Sequence, residues 1–598
     1  MRLIINGIEA VMNVDEKLQI NFVNQLLQQQ GFFSYPITLP LRPNWAIFGY
    51  LRIQKSDRPA NLKFELRQGA IVICRGNVSI DTFMERSVAI ILNNESSGFW
   101  KTTGEAFMDE FDFGGEDNRD ITTVLSHSQV IDKWTASCFL KYPQTPYSCY
   151  PVYAPNFLPD AFGYSNQVLW IPNGYPGPII NEWNHKDEKL RDADVPTTNG
   201  PAGNIFALHF YVRYLIDQII TKSGYTKGID ELNLIPDFSA LSIISMNQVI
   251  GFTLIEYKRS LPHMKIVDFM KSLEDTFGIT LDIDLLKNTI NVRLKRTLLQ
   301  KSNGKSYSSM RTYDTEISTI QTNPKGYRVK WTNDDDSDRN YNDIETELYV
   351  TQIANKSLLP EASQTYSGSM YHIQLNDRYL ICQLKEKAAD TDPDVWKWEP
   401  AGLFRPLTIG DGSESREIKA KTVVNYTETR VYNYMFYSAL YPQGISTAVT
   451  VPFQCPSTQE KGNSGYGVYF CGVKPNEWPV QFVITRGSIE VSDAQNQHHK
   501  FPFATFDNYT EDGALLASDF NLRFDGIKGL YNQFLTDELA WLMRREWVQT
   551  YLVMPSSEIK NIDMAAKINI NGCDRIIDSL NAEFSNDDMV IVELDNWI

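Results

Sequence analysis

The last hundred residues constrain the fold most, because they join an aromatic helix to a hairpin that is specified by its turn. Residues 527–542 (IKGLYNQFLTDELAWL) have the composition of an aromatic helix, and residues 548–554 alternate as a strand does. In residues 567–578 (KINI-NG-CDRIID), an Asn-Gly pair separates two alternating runs, which is a strong hairpin signal. With a last strand at residues 589–594 (MVIVEL), the segment predicts a C-terminal β unit over residues 506–598.

The first residues contain a similar hairpin signal, since Asn6-Gly7 lies between the short apolar runs of LIINGIE. Residues 33–41 and 45–53 follow. Their aromatic and β-branched side chains favour strands, and the prolines among them suit the edges of a sheet.

Residues 61–80 (NLKFELRQGAIVICRGNVSI) predict three further strands, with turns at Gln68-Gly69 and Arg75-Gly76. Together with the preceding segments, they predict a compact β-barrel or sandwich over residues 1–98.

Residues 99–205 follow a different pattern. Ten of the 28 prolines fall between Pro143 and Pro201, and tyrosines are interleaved with the first of them. So many prolines exclude long helices and central strands, while the abundant aromatics argue against disorder. We interpret the region as an extended arm that lies on a neighbour, either in the same chain or in another subunit.

Residues 206–300 change to a helical period. Apolar side chains recur at helical spacing up to Gly224, and a second such run ends at Gly278. Two alternating runs around Lys287-Asn288 follow, so a helix and a hairpin form a predicted α+β domain. Residues 301–505 are rich in strand patterns with polar loops and are predicted as a further β-rich domain.

The composition bears on the class of function. The chain has 598 residues and a net charge of −17, whereas a protein that grips nucleic acid concentrates Lys and Arg. A negative charge is compatible with a channel wall along which DNA slides without sticking. Aromatic residues make up 12% of the chain, which suits both a β-rich core and a large interface.

The sequence predicts a protein that is neither exported nor anchored in a membrane. Its start, MRLIINGIEAV, leads directly into a strand and lacks the apolar stretch of a secretory signal. No apolar run reaches the ~18 residues that a transmembrane helix needs. The seven cysteines are scattered without a CxxC motif, so we expect reduced thiols, although Cys138 and Cys149 could bridge.

Each candidate metal site has a plainer interpretation. Carboxylates crowd around Gly114-Gly115 and could form a calcium loop, but they lack EF-hand spacing, which favours a solvated loop. The acidic run at residues 334–338 is expected at a solvated hairpin tip, and His498-His499 lacks zinc-site spacing. We therefore expect no metal and no cofactor. The carboxylates of the first loop are Glu110, Asp112, Glu116, Asp117 and Asp120.

No catalytic motif of the G-x-S-x-G, H-E-x-x-H, P-loop or G-x-G-x-x-G type occurs, and we expect the chain not to be an enzyme. The two facing carboxylates of a glycosidase leave no sequence motif, however. Trp396 and Trp398 share one face of a predicted strand, where they could stack on a sugar or pack in a core or interface. A virion-borne protein that binds or cleaves glycans is therefore the alternative function.

Four segments, in their order along the chain, resemble tail and baseplate proteins of phages and prophages of Bacteroidetes, crAss-like or related. They are FSYPITLP…IFGYLRI with GAIVICRGNVSI, then FALHFYVRYLIDQIITKSGY, then VDFMKSLEDTFGITLDIDLLKNTINV, and finally GIKGLYNQFLTDELAWLMRREWVQTYLVM…INING. The third segment is similar to the helix-hairpin of tail hub proteins, including the baseplate hub of contractile-tailed phages. The fourth resembles the closing segment of those hubs.

The resemblance implies a multidomain, mainly β fold of tandem small β-barrels with α+β insertions. It implies a homotrimer whose barrels form a pseudo-sixfold ring around a channel, and such a ring closes only through heterologous interfaces. The partners implied are the tail tube, other tail-tip, baseplate or fibre proteins, and DNA in transit. The implied location is the virion tail, assembled in the bacterial cytoplasm. The hub of a phage-derived contractile injection system is a further alternative.

The residues expected at subunit interfaces are aromatic and apolar side chains from three segments: residues 33–41, the arm near residues 142–153, and the aromatic C-terminal helix. They are Phe33, Tyr35, Tyr142, Tyr147, Tyr150, Tyr153, Tyr531, Phe534, Leu535 and Trp541.

Overall fold

The computed structural model describes most of the N-terminal, central and C-terminal parts of the chain. The described residues are 1–13, 17–27, 32–53, 62–93, 99–114, 116–117, 127–153, 179–181, 183–184, 187–190, 206–245, 247–249, 255–284, 287–301, 304–318, 323–331, 352–353, 364–366, 370–375, 378–384, 396–400, 407–418, 424–427, 450–453, 462–463, 468–470, 480–492, 497–505, 517–522, 524, 526–584 and 589–597.

A curled sheet of 14 strands, built from both ends of the chain and from residues 305–318, is the largest element. Its strands are β1 Arg2–Ile5, β2 Ile8–Ala10, β3 Leu18–Val23, β4 Phe32–Ser34, β5 Ile37–Pro40, β6 Leu62–Gln68, β7 Ile71–Phe83, β8 Ser87–Asn93, β9 Lys305–Ser306, β10 Arg311–Ser318, β11 Trp547–Pro555, β12 Ile568–Ile570, β13 Cys573–Phe584 and β14 Met589–Trp597.

The strand order is β2-β1-β6-β7-β8-β4-β3-β13-β14-β11-β10, with β5 beside β8 and with β12 between β9 and β13. The N-terminal and C-terminal halves meet where β3 pairs antiparallel with β13, from Leu18 opposite Phe584 to Val23 opposite Ser579. The first and last strands of the sequence, which the sequence assigns to separate units, therefore lie in one sheet.

One face of this sheet encloses an apolar core. Alternate side chains of each strand point into it, as the period of two requires. The core includes Leu3, Ile5, Leu18, Ile20, Phe64, Leu66, Ile90, Leu92, Leu552, Met554, Leu580, Phe584, Val592 and Leu594.

Both predicted Asn-Gly hairpins are confirmed. Asn6 and Gly7 join β1 to β2 with φ of 48° and 80°, and Asn571 and Gly572 join β12 to β13 with φ of 54° and 83°. Left-handed backbone at both positions is what a type I′ turn requires, and Asn and Gly adopt it at the lowest cost.

The predicted strand at residues 45–53 is wrong, because the structure has a helix, α1, at Trp45–Ile53. The Asn44 carbonyl accepts from the N–H groups of Ile47 and Phe48, which starts the helix. Ile47 and Phe48 are neighbours and both are buried, an arrangement that a helix allows and an alternating strand does not. Aromatic and β-branched composition alone misled the prediction.

The predicted turn at Arg75-Gly76 is also wrong, since β7 runs without interruption from Ile71 to Phe83. A Cβ at Gly76 would lie 2.1 Å from the carbonyl oxygen of Asn93 on the neighbouring strand β8. This glycine therefore permits a close approach of two strands, which is the other common reason for glycine in a sheet.

Helices α2, α3, α4 and α6, whose bounds follow, contribute to a second apolar core, which is formed mainly by the central part of the chain. The further described helices are α2 His127–Ser137, α3 Val212–Lys222, α4 Ile266–Phe277, α5 Lys295–Gln300, α6 Thr536–Arg544 and α7 Ser556–Ile559, with π-helical turns at Trp100–Gly104 and Tyr531–Leu535 and 3-10 turns at Glu231–Leu234, Pro236–Ser239 and Tyr257–Ser260. The predicted helix ends at Gly224 and Gly278 are confirmed, and a hairpin follows α4 as expected.

Phenylalanines from five separate segments meet in this second core. Phe277 of α4 lies with its ring centroid 5.3–5.8 Å from those of three others. They are Phe482, Phe520 and Phe534, and Phe238 lies 5.5 Å from Phe277. The edge-to-face arrangement of these rings fixes how the central and C-terminal segments pack.

Smaller sheets complete the described β structure. Their strands are Tyr147–Ser148 with His209–Phe210; Ile179–Ile180, Val152–Tyr153, Thr450–Phe453 and Val424–Thr427; Trp183–Asn184 with Lys189–Leu190; Thr226–Asp230, Thr289–Leu294 and Ile279–Asp284; Leu241–Ile243, Phe482–Ser492 and His498–Thr505; Asn247–Val249, Val468–Phe470 and Gly462–Asn463; Ile255–Glu256 with Glu116–Asp117; Leu407–Gly410, Gly326–Trp331 and Glu414–Ile418; and Gln352–Ile353, Trp396–Pro400, Arg378–Leu384, Met370–Leu375 and Gln364–Tyr366.

Replacing Asn571 and Gly572 by valine should destabilise the C-terminal half of the sheet. Each valine would have to adopt left-handed backbone, which costs about 1–2 kcal/mol per residue. We expect the free energy of unfolding in urea to fall by about 2–4 kcal/mol.

The matched control is Cys573→Val, because the exposed Cys573 lies on β13, where valine is favourable. An unchanged stability of the double variant would contradict the hairpin.

Candidate functional site

Two of the predicted interface tyrosines lie in the core of their own chain. Tyr147 is fully buried, and its ring lies 5.8 Å from that of Phe210. Tyr150 is also buried and stacks on His209 at 4.4 Å, while its hydroxyl lies 3.0 Å from Ser242 Oγ. This part of the arm packs within the chain, which favours the intrachain alternative.

The other two arm tyrosines differ from each other. The Tyr142 hydroxyl donates to Asp217 Oδ2 at 2.5 Å, and partial burial together with that carboxylate raises the pKa of Tyr142. The backbone of Tyr153 pairs with Ile179 and Phe453, while its side chain lies outside the described part of the chain.

Side chains of the aromatic C-terminal helix are also buried within their own chain. Phe534 and Leu535 are buried, whereas Tyr531 and Trp541 are half-buried. The guanidinium carbon of Arg545 lies 5.0 Å from the ring centroid of Trp541 and 3.9 Å from that of Trp597 on β14, so Arg545 joins this helix to the last strand. Phe534 packs against Phe238 and Phe277 of the central region, so this helix is held against the core of its own chain.

Residues 33 and 35 lie at the junction of the two halves of the large sheet. The backbone of Phe33 pairs with Asn21 and Asn93, while its side chain is outside the described part. Tyr35 follows β4, donates its N–H to the Gln19 carbonyl at 3.3 Å, and is 48% exposed. Among the predicted interface side chains that the structure describes, Tyr35 is the most accessible.

The structure adds an accessible apolar surface that the sequence interpretation missed. Met589 and Ile591 on β14 are 49% and 52% exposed, although β14 has a strand on each side. Val553 lies opposite Ile591, and the exposed Pro555 lies opposite Met589. We call these four side chains, which point away from the apolar core, the outer patch.

The outer patch connects across the sheet to Tyr35. Ile591 lies opposite Glu583 of β13, Glu583 lies opposite Gln19 of β3, and Gln19 bonds the backbone of Tyr35. Glu583 also accepts from Lys17 Nζ at 2.6 Å. An apolar patch with charged residues at its margin has the composition of a protein interface.

Opposite charges are buried where α4, α5 and α6 meet a strand of the central region. Lys295 Nζ lies 2.7 Å from Glu274 Oε1 and 3.1 Å from Glu538 Oε1. The second oxygen of Glu538 accepts from Arg416 Nη2 at 3.0 Å, and Lys271 lies 3.0 Å from Asp275. We call this group the ion cluster.

The charges in the ion cluster stabilise one another. Burial raises the pKa of Glu538, but Lys295 and Arg416 outweigh this effect and hold it at about 2. Burial lowers the pKa of Lys295, but Glu538 and Glu274 outweigh it and hold that pKa above its usual value. Glu538 and Lys295 therefore both stay charged at neutral pH, and the cluster ties three segments together.

A cleft of about 840 Å³ lies between the large sheet and the hairpin that follows α4. The turn after β3, the start of β7, the hairpin and residues 559–565 line it. Its apolar lining includes Ile229, Ile562 and Met564, and its polar lining includes Asp282 and Lys287. Its size falls within the ~300–1,000 Å³ of ligand clefts.

Asp282 is the most perturbed carboxyl group of this cleft. Burial raises its pKa, the nearby carboxylates Asp563 and Asp284 add to the rise, and Asn291 and Arg293 oppose it. Asn291 Nδ2 donates to Asp282 Oδ2 at 3.0 Å. Both carboxylates and basic side chains line the cleft, so it carries no single sign of charge.

The candidate metal sites do not assemble among the described residues. Asp112 of the acidic loop accepts from Lys222 Nζ at 2.6 Å and from the Gly114 N–H, and residues 115 and 118–120 lie outside the described part. No group of three or more His, Cys, Asp or Glu side chains in the described ranges could hold a metal ion. His498 pairs with Glu490 at 2.6 Å, and the run at residues 334–338 is outside those ranges.

The remaining candidates have structural positions or lie outside the described part. Cys138 and Cys149 are buried thiols that are not joined in a disulfide, and Cys138 Sγ lies 3.2 Å from the Cys149 carbonyl oxygen. His209 is fully buried, which lowers its pKa to about 3 and keeps it neutral. Trp396 and Trp398 lie on one strand, but their side chains are outside the described part.

The sequence matches no protein-family model and no curated protein. Among solved structures, the chain is similar to the 43 kDa tail protein of prophage MuSo2 from Shewanella oneidensis, with a TM-score of 0.30 and 7% identity over 100% of this chain and 98% of that chain. A likeness this small carries no argument about fold or function.

No described helix is long and apolar enough to cross a bilayer.

Replacing Glu538 by glutamine should destabilise the fold strongly, because Lys295 and Arg416 would lose the charge that compensates them. Removing one partner from a buried ion pair costs about 3–5 kcal/mol. Urea unfolding of the variant at neutral pH measures this loss.

Asp537→Asn is the matched control, because the neighbouring Asp537 is half-buried and accepts only from Gln300 among the described contacts. Its effect should stay below about 1 kcal/mol. Equal effects of the two variants would contradict a stabilising ion cluster.

The contribution of Glu538 should depend on pH with a defined sign. Its pKa falls from 4.5 to about 2 on folding, so its stabilisation is complete above pH 4.5 and is lost as the pH falls towards 2. The difference in unfolding free energy between the wild type and Glu538→Gln should therefore be constant above pH 5 (about one half unit above the unfolded value) and shrink below it. A difference that persists at pH 2 would show that the loss is steric.

Proposed function

We propose that this chain is a structural component of a bacteriophage tail, a hub or baseplate protein that joins the tail tube to the proteins of the tip. It acts by assembly with copies of itself and with tail proteins, and not by catalysis. The order of the four segments in the sequence supports the resemblance to tail proteins. The outer patch is the observation that supports a role in assembly.

The outer patch suits a subunit interface for a physical reason. Single exposed apolar residues are ordinary, but adjacent ones on neighbouring strands form a contiguous surface that water solvates poorly. Met589 and Ile591 occupy a strand with partners on both sides, so further strand pairing cannot cover their side chains. A partner must pack face to face on this side of the sheet.

The large sheet supports the patch as a rigid base. The β3–β13 pairing holds six residue pairs across the junction, and β14 pairs with both β11 and β13. A rigid face loses little conformational freedom on association, which favours assembly. The net charge of −17 is consistent with a channel wall that does not retain DNA.

Replacing both Met589 and Ile591 by aspartate should prevent assembly. Burying two new carboxylates in an interface is unfavourable, so we expect the association constant to fall at least about tenfold, which corresponds to ~1.4 kcal/mol. Sedimentation velocity of the purified chain, alone and with its tail tube protein, measures the oligomer mass.

Ile527→Asp is the matched control, since Ile527 is strongly exposed at a turn outside the patch. The control should assemble as the wild type does. A wild-type protein that stays monomeric both alone and with the tube protein would contradict the proposal.

A further inference from the structure

We propose that the outer patch of one copy of this chain packs against a second apolar surface, centred on Trp45, of another copy. The contact is head-to-tail, because it joins two different surfaces of the same protein. This inference rests on the proposed assembly role, and it names the partner and the surface that the outer patch meets.

The second surface combines exposed apolar side chains with exposed guanidinium groups. Val11, Trp45 and Met84 are 48–50% exposed, about as much as the exposed residues of the outer patch. Arg42 and Arg86 are exposed close to them in the sequence. We call these five side chains the Trp45 surface.

Hydrogen bonds hold the three segments of the Trp45 surface side by side. The side chain of Asn44 bonds both backbone polar groups of Val11 at 2.8 Å, and its Nδ2 also donates to the Pro40 carbonyl at 2.8 Å. The N–H of Leu41 donates to the Arg86 carbonyl at 2.8 Å. The three segments are therefore neighbours, and their exposed side chains form one surface.

Trp45 is a suitable anchor because its ring is held in one position. It begins α1 and packs against Gly49 one turn later, where an added Cβ would lie 2.4 Å from a ring carbon. Glycine at this position leaves room for the ring. A side chain that is already ordered loses little conformational freedom on association, and tryptophan and arginine are enriched among the residues that contribute most to interfaces.

Two carboxylates without a basic partner lie beside the outer patch. Glu593 and Asp595 point to the same side of β14 as Ile591, since side chains two residues apart share a face. In the described part of the chain, the hydrogen bonds that they accept come from neutral groups, and neither forms an ion pair. The donors are the Gln549 amide, the Tyr551 hydroxyl and the Ser579 hydroxyl. This margin of the outer patch is therefore acidic.

The Trp45 surface carries the opposite charge. Within the described part of the chain, the guanidinium groups of Arg42 and Arg86 form neither an ion pair nor a hydrogen bond. Guanidinium groups bind carboxylates strongly, so contact between the two surfaces brings unpaired charges of opposite sign together. An outer patch packed against a second outer patch would instead bring carboxylates together, which is unfavourable. The charges therefore favour the Trp45 surface of another copy as the occupant.

One copy can use both surfaces at the same time. In the large sheet, β4, β3 and β13 lie between β8 and β14, and the Trp45 surface lies where β5 pairs with β8. The outer patch can therefore contact one neighbour while the Trp45 surface contacts another. Head-to-tail contacts of this kind close into a ring when the rotation between copies returns to its start.

Trp45→Asp in the full chain tests the new surface. Aspartate suits the first turn of a helix, so the variant should fold, but it places a charge where the outer patch should pack. In sedimentation velocity, we expect the association constant to fall at least about tenfold. Leu234→Asp, at an exposed leucine in a 3-10 turn outside both surfaces, should assemble as the wild type does.

A titration of one defective variant with another distinguishes a head-to-tail contact from a contact between like surfaces. Fluorescently labelled Trp45→Asp keeps its outer patch, and the double variant with Met589→Asp and Ile591→Asp keeps its Trp45 surface. Adding the double variant should raise the fluorescence anisotropy of the labelled chain to saturation, because one intact pair of surfaces forms a one-to-one complex. Adding unlabelled Trp45→Asp should not.

Arg42→Glu tests the charge pairing. The variant should weaken assembly about three- to tenfold, because carboxylates then meet across the contact. Lys528→Glu makes the same change of charge at an exposed base outside both surfaces and should leave assembly unchanged.

Assembly of Trp45→Asp with the association constant of the wild type, no binding between the two defective variants, or equal effects of Arg42→Glu and Lys528→Glu would each overturn the proposal. A wild-type chain that is monomeric alone but binds the tail tube protein would also overturn it, in favour of that protein as the occupant. That last result would leave the proposed tail function standing.

Discussion

The antiparallel pairing of β3 with β13 is the constraint on which the rest of the structure depends. It joins Lys17 to Glu583, which are 566 residues apart, at 2.6 Å. The cost of closing such a loop grows only slowly with its length, so a large insertion between two paired strands is tolerated once the pairing is strong. The central region can therefore form its own apolar core while both of its ends stay fixed in the large sheet.

The ion cluster and the phenylalanine group hold the central region against the C-terminal helix. The cluster joins α4, α5 and α6 through Lys295 and Glu538, and the ring of Phe277 contacts residues from other segments nearby. Apolar packing tolerates small displacements, whereas a buried charge without its partner is costly. The two together allow few alternative arrangements of the C-terminal helix.

The sequence predicted those parts of the fold that are determined locally. Both Asn-Gly hairpins, the helix ends at Gly224 and Gly278, and the hairpin after α4 depend on a few neighbouring residues, and all are present. The strand predicted at residues 45–53 and the turn at Gly76 failed, because burial of Ile47 with Phe48 and the approach of Asn93 are set by distant parts of the chain. Such contacts leave no periodic pattern in the sequence.

The candidate site was harder to predict for the same reason. Tyr147 and Phe534 have the composition of interface residues, but aromatic side chains are equally suited to a core, and these two are buried. Met589 and Ile591 were within a correctly predicted strand, but residues 589–592 are all apolar, so no alternation of apolar and polar residues marked the exposed face.

The join between β3 and β13 has a consequence for synthesis. A ribosome completes β3 long before it has made β13, so during most of translation the apolar side chains of Leu18 and Ile20 lack the strand that should lie beside them. Apolar edges left open in this way are prone to aggregate. Synthesis of the final segment therefore removes an aggregation-prone edge as well as completing the sheet.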